Sequence, residues 1–175
     1  MILIEADASE DWPSERRWDE LAAEAVRAAV ASSCRHALIN SDLEVEVSVK
    51  FTDDNEVKAL NAAYRNKERP TNVLSFPMIE PELLDSIARA DGGEVLLGDV
   101  VLARGVCAAE AADKGIAIED HAAHLVVHGT LHLIGYDHGE DDAAEAMEAV
   151  EREALARLGI ADPYATREAM SEVQS

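Results

Sequence analysis

Cysteine is scarce: Cys34 and Cys107 are the only two in 175 residues, and they form no CxxC pair. That usage excludes a disulfide-stapled scaffold, and both thiols read as small core residues of a reduced, cytoplasmic chain. Basic residues are also few. Lys and Arg number 15 against 36 Asp and Glu, a formal charge of -21 that repels phosphate backbones at long range. General coating of nucleic acid is excluded, so any contact with RNA has to be local. No stretch approaches the roughly 18 apolar residues of a membrane span. Met1 to Asp11 lacks the basic start and apolar run of a secretory signal. A soluble, cytoplasmic protein with no membrane partner is the expectation.

What is present is a composition able to fold: 48% of residues are apolar. A chain of this length buries roughly 70% of its unfolded surface. No linker or repeat divides the sequence, so a single domain is expected over residues 1–175. Leu43 to Phe51 alternates Leu43, Val45, Val47, Val49 and Phe51 with polar residues, the period-two pattern of a strand with one buried and one wet face.

Ile2 to Glu5 reads as a short edge strand, and Trp18 to Val30 carries apolar residues at helical spacing. Asp53 with Glu56 three residues on opens a helix to about Ala63, in the manner of a capping box. Strands follow at Asn72 to Phe76 and Glu94 to Ala103, with an irregular connection from Pro77 to Gly93 between them. Gly98 and Asp99 interrupt the second strand near one end, as a bulge or a close approach. Helices are expected from about Glu119 to Ile134, closed by Gly135, and from Asp142 to Leu158. No regular βαβ repeat emerges. The fold class is therefore α+β, a small mixed sheet with helices packed largely on one side.

Five of the six histidines fall between His121 and His138. At 100° per residue His121, His124, His128 and His132 lie within a sector of about 80° on one helix face. His128 and His132, one turn apart, can share a metal ion. The turn at Gly135 brings back His138, completing a His-x3-His-x5-His set with the spacing of the metzincin zinc site. Three protein ligands leave a position for water. In that motif a Glu acts as general base, and its place here is taken by Gly129, so peptide hydrolysis lacks its base. His121 and His124 are expected to pack or to support the ligands. Asp137, beside His138, either orients a ligand, takes a proton or serves as a turn acceptor, and Asp99 has a similar ambiguity.

Lys58, Arg65, Lys67 and Arg69 place four basic residues in twelve positions with Glu68 as the one acid, a local charge of +3. Such an island can hold a phosphate, Arg65 through a planar bidentate contact with Lys67 and Arg69 beside it. Asp137 to Glu153 holds eight acids against Arg152 alone. It reads as a solvated helix face, with docking onto a basic ribosomal protein as the alternative.

The run His128-Gly129-Thr130-Leu131-His132-Leu133-Ile134-Gly135-Tyr136-Asp137-His138 resembles the signature of the YbeY family, bacterial rRNA maturation factors described as zinc-dependent endoribonucleases. Leu60 to Pro77, with Tyr64-Arg65-Asn66-Lys67 and Pro70-Thr71-Asn72-Val73-Leu74-Ser75-Phe76-Pro77, and Leu97-Gly98-Asp99-Val100-Val101 resemble further family segments in the family's order. The likeness covers about Leu43 to Leu158. It implies one α+β domain, one Zn2+ per chain on His128, His132 and His138, and Arg65 as the important basic residue of the cleft. It also implies cleavage of single-stranded RNA in 16S rRNA 3′ maturation and ribosome quality control, with small-subunit proteins or assembly factors as partners. Two other readings remain open: a non-catalytic zinc-containing assembly factor, and a metal-dependent hydrolase of another substrate class.

Overall fold

The computed structural model describes residues 1–13, 16–67, 70–88, 93–137 and 141–164. In chain order the elements are β1 (Ile2–Ala8), α1 (Trp18–Ser32), β2 (Glu44–Thr52), α2 (Asp54–Arg65), β3 (Val73–Pro77), α3 (Pro81–Ala88), β4 (Glu94–Ala103), α4 (Arg104–Lys114), α5 (Ile118–Leu133) and α6 (Asp141–Arg157). The four strands form one sheet in the order β1-β2-β4-β3. β1, β2 and β4 run parallel, whereas β3 pairs antiparallel with β4 at the other edge. The sheet is mixed and the fold is α+β.

β2 behaves as its alternation requires: Val45, Val47, Val49 and Phe51 are buried, while Lys50 is exposed. That buried face meets α1, α5 and α6 in a core continued by Trp12, Trp18 and Phe51. The two tryptophan rings lie 4.8 Å apart and each contacts Phe51, so the first segment of the chain supplies core aromatics. On the opposite face α2, joined by Val106 of α4, covers a small patch, where Val57 and Leu60 meet Leu74, Phe76 and Val101. Helices thus sit largely on one side. Among the described residues no helix is long and apolar enough to cross a membrane.

The structure changes several local expectations. β1 continues past Glu5 to Ala8, because its whole length finds a parallel partner in β2. The connection after Pro77 contains α3, anchored by fully buried Leu84. α4 follows β4 directly, although its first residues offer no cap of their own. The N–H groups of Gly105 and Val106 instead donate to Asp54 Oδ1 at 2.8 and 3.2 Å. At α2, Asp53 accepts from the Glu56 N–H at 2.8 Å, but the Glu56 side chain turns away to Lys50 and Thr52, so only half of a capping box forms.

Gly98 sits mid-strand rather than near an end, and the register between β2 and β4 slips at Leu97, the mark of a bulge. A Cβ there would lie 2.4 Å from the Phe76 carbonyl oxygen and 2.7 Å from Leu133. Both sequence alternatives for Gly98, bulge and close approach, are therefore realised.

Candidate active site

α5 packs against α1, α4, α6, β3 and β4 and is buried along nearly its whole length. Its histidines form a continuous line, with successive ring centroids 6.2, 6.4 and 4.6 Å apart from His121 to His132. His128 and His132 open into a cleft of about 500 Å³ between α5 and β3. Gly129 makes that approach possible. A Cβ on it would come within 2.7 Å of Val100 Cγ1, so no larger residue fits between this helix and β4. The residue absent from the peptidase motif is therefore also excluded sterically here.

Helix α5 ends in a Schellman turn: the Tyr136 N–H donates to the Leu131 carbonyl at 2.9 Å and Gly135 N–H to His132 at 3.2 Å. Gly135, at φ +109°, supplies the required backbone. The turn carries the Tyr136 carbonyl back to His132 Nδ1, 3.0 Å away. A carbonyl only accepts, so Nδ1 carries the hydrogen and Nε2 of His132 carries a lone pair.

His128 is oriented in the same sense by Glu151 of α6, whose Oε1 accepts from Nδ1 at 2.6 Å. Oε2 of this carboxylate, 1% exposed, accepts from His124 Nε2 at 3.0 Å and from the Tyr164 hydroxyl. Burial alone would raise the Glu151 pKa, but the hydrogen bonds from His124, His128 and Tyr164 outweigh it and hold the carboxyl below its usual range. Nε2 of His128 and Nε2 of His132 then lie 3.1 Å apart. Two lone pairs so close repel unless an electrophile is shared, and a pair of neutral imidazoles with anchored Nδ1 atoms is a donor set that fits zinc.

A second carboxylate works behind the cleft wall. Glu110 Oε1 accepts from His121 Nε2 at 2.9 Å and from Asn72 Nδ2 at 3.0 Å. Asn72 in turn accepts the Val73 N–H at 2.7 Å, which fixes the start of β3. Burial opposes ionisation of Glu110, yet the bonds from His121 and Asn72 keep its pKa low. Burial also holds His121 below its ordinary value, against the pull of Glu110.

Of the residues singled out from the sequence, Arg65, His128, His132 and Asp137 line one cleft. Arg65 reaches it from the last turn of α2, with Nη2 donating to the Ser75 carbonyl at 3.2 Å. Asn66 then adopts the left-handed conformation at φ 55° and turns the chain, so exposed Lys67 is not among the residues lining the cleft. Arg69 and His138 lie outside the described residues. Among the described residues no group of three or more potential ligands is assembled. Asp99 is not at a strand end: it lies within β4, opposite Phe76, in a groove on the other face of the sheet.

Glu151, Glu110 and Asn72 were not foreseen. The acidic run is not uniformly solvated, because Glu151 shares a buried helix face with Met147, Ala154 and Leu155. An acid interrupting an apolar stripe was the signal available.

These features define an α+β protein whose two oriented imidazoles share a cleft with an arginine. The family model described as endoribonuclease YbeY matches residues 8–159. The endoribonuclease YbeY of Rhizorhabdus wittichii is 55% identical over 168 residues, covering 96% of this chain and 99% of that protein. Those of Sphingopyxis alaskensis and Zymomonas mobilis are 52% and 51% identical, covering 96% and 98% of this chain and 100% and 98% of their own. The chain belongs to the YbeY family. A solution structure of a Thermotoga maritima protein shares the fold at a TM-score of 0.50 and 21% identity, covering 90% of this chain and 91% of that one.

Proposed function

We propose that this chain is a zinc-dependent, single-strand-specific endoribonuclease acting in 3′-end maturation of 16S rRNA and in ribosome quality control. Membership of an endoribonuclease family supports hydrolysis of RNA phosphodiesters. The observation that carries the site is the pair of Nε2 atoms of His128 and His132, 3.1 Å apart with both Nδ1 atoms committed elsewhere. These two residues, with His138 by its sequence spacing, would hold one Zn2+. When bound, zinc supplies a Lewis acid for a phosphoryl oxygen and lowers the pKa of water toward neutrality.

The chain's own groups complete the reading. Arg65 rests one nitrogen on the Ser75 carbonyl, and its planar fork is suited to a bidentate contact with a phosphate whose charge grows in the transition state. Lys67 and Arg69, two and four residues further along the sequence, would add substrate-binding charge. Asp137 is exposed and lines the cleft, where it would orient a ligand or take a proton. Exposed Asp141, Asp142, Glu145 and Glu153 give α6 an acidic outer face that suits docking on a basic small-subunit protein or assembly factor, tested by the salt sensitivity of binding to ribosomal subunits.

The test is cleavage of a single-stranded RNA ending in a 16S-like 3′ segment by metal-loaded wild type, His132→Ala and Arg65→Ala. Arg65→Ala is expected to keep metal and fold and to lose about 10²–10³ in rate. His132→Ala is expected to lose both metal and cleavage. Equal cleavage by all three proteins would overturn the assignment.

A further inference from the structure

The chain has two Trp, three Tyr and two Phe. Trp12, Trp18 and Phe51 fill the core, while Phe76, Tyr136 and Tyr164 are half-buried. Tyr64 differs from all of them, being 71% exposed. Its ring stands edge-on to Phe76 at 5.4 Å and 63°, and Phe76 is itself packed into the small core under α2. One edge of Tyr64 is thus braced while the rest faces solvent, an arrangement that contributes little to the fold.

Its neighbours give the position a use. Arg65, the next residue, lines the histidine cleft together with Ser75, to whose carbonyl it donates, whereas Tyr64 packs on the ring of Phe76, the residue after Ser75. Successive side chains of a strand point to opposite faces. The last turn of α2 therefore straddles β3, with a cation on the cleft side and an aromatic ring on the other. Around the ring lies a groove of about 390 Å³ walled by Leu60, Phe76, Met78 and Val101. Two acids, Glu56 and Asp99, and one base, Lys50, border it, and Glu56 is tied to Lys50. With Glu56 paired to Lys50, Asp99 is left as the unbalanced charge of the lining, so the groove favours an uncharged base over a phosphate.

Resting on the ribonuclease reading, we propose that Tyr64, braced by Phe76, is a stacking platform for an unpaired base of the RNA whose phosphate is held at Arg65. Stacking is tolerant of sequence, since every base has a π face, and it does not depend on charge. That suits a chain at -21, which cannot gather RNA by long-range attraction. It also selects single strands, because a base inside a duplex has both faces covered by its neighbours.

The test is steady-state cleavage of a single-stranded oligouridylate by the zinc-loaded full chain, with an abasic ribose-phosphate oligomer of equal length as competitor. Tyr64→Ala is expected to raise KM about 5- to 100-fold with kcat changed less than about threefold, and Tyr64→Phe to stay near wild type. The competitor, which has no base to stack, is expected to inhibit wild type and Tyr64→Ala equally. An unchanged KM in Tyr64→Ala, with wild type active, overturns the platform and leaves the ribonuclease reading standing. No cleavage by wild type overturns both. Because Tyr64 is exposed, Tyr64→Ala is expected to melt with wild type, which separates lost stacking from lost fold.

Discussion

Glu151 of α6 and His128 of α5 meet through a 2.6 Å hydrogen bond between Oε1 and Nδ1, with the carboxylate buried at 1% exposure. This single contact selects the tautomer of His128 and so directs Nε2 into the cleft. Glu151→Ala removes the acceptor for His124 and Tyr164 as well. It is expected to weaken zinc binding about 10- to 100-fold, measured by competition with a chromophoric chelator. Chemical denaturation should show a loss of about 3–5 kcal/mol, since buried polar partners are stranded. Glu151→Gln, which keeps the shape and one acceptor oxygen, should fall between the two. Wild-type zinc affinity in Glu151→Ala would refute the positioning role.

Gly129 and Val100 are in contact so close that a methyl group cannot enter, with 2.7 Å from a Cβ on Gly129 to Val100 Cγ1. Gly129→Ala gains about 1 kcal/mol of helix propensity but forces α5 away from β4, a cost of about 1–3 kcal/mol. Net destabilisation is expected in urea unfolding. Combined with Val100→Ala, the pair should show a favourable coupling of at least about 0.5 kcal/mol, and strict additivity would contradict the steric account.

The two thiols should differ in reactivity. Cys107 is fully buried and burial pushes its pKa up to about 12, so it stays a protonated thiol at neutral pH. Cys34 is exposed. Alkylation followed by mass spectrometry should give one adduct in the native chain and two in denaturant. Equal labelling rates for both in the native chain would count against this packing.

Acid should loosen the wall behind the cleft. Glu110 has a folded pKa below its ordinary 4.5, so its contribution is present above that value and is lost as pH falls through the folded pKa. His121 has a folded pKa below its ordinary 6.5, so the unfolded chain binds more protons and stability falls as pH drops below about 6.5. Both groups act in the same direction. Because Glu110 pulls the His121 pKa up, Glu110→Gln depresses it further, and melting temperature followed from pH 7 to about 4.5 should decline more steeply in Glu110→Gln than in wild type. Parallel curves would show that the Glu110–His121 pair does not contribute.

Much of the architecture is legible without coordinates because it rests on local periodicity. The alternation from Leu43 to Phe51 forces one face of β2 inward wherever the strand sits, and it is found buried as expected. The helical spacing of His121, His124, His128 and His132 puts the imidazoles in one line by covalent geometry alone. Gly135 could be foreseen as the end of α5 because only glycine adopts its φ of +109° without strain.

α3, α4 and the supports of the site were not legible, for a shared reason. The cap of α4 comes from Asp54, some fifty residues earlier, so nothing near Ala103 announces that helix. Glu151 lies in a run of acids that as a whole reads as solvated, and although it falls on the apolar stripe of Met147, Ala154 and Leu155, only the packing of α6 on α5 makes it the acceptor for His124 and His128. Arg65 and Tyr64 are adjacent in the chain, yet the sheet edge at β3 sends one to the histidine cleft and the other to Phe76. Secondary structure and the residue types of the site follow from short-range sterics and hydrophobic period, which the sequence by itself determines. Which carboxylate orients which imidazole depends on contacts between segments distant in the chain, and these exist only once the core has closed.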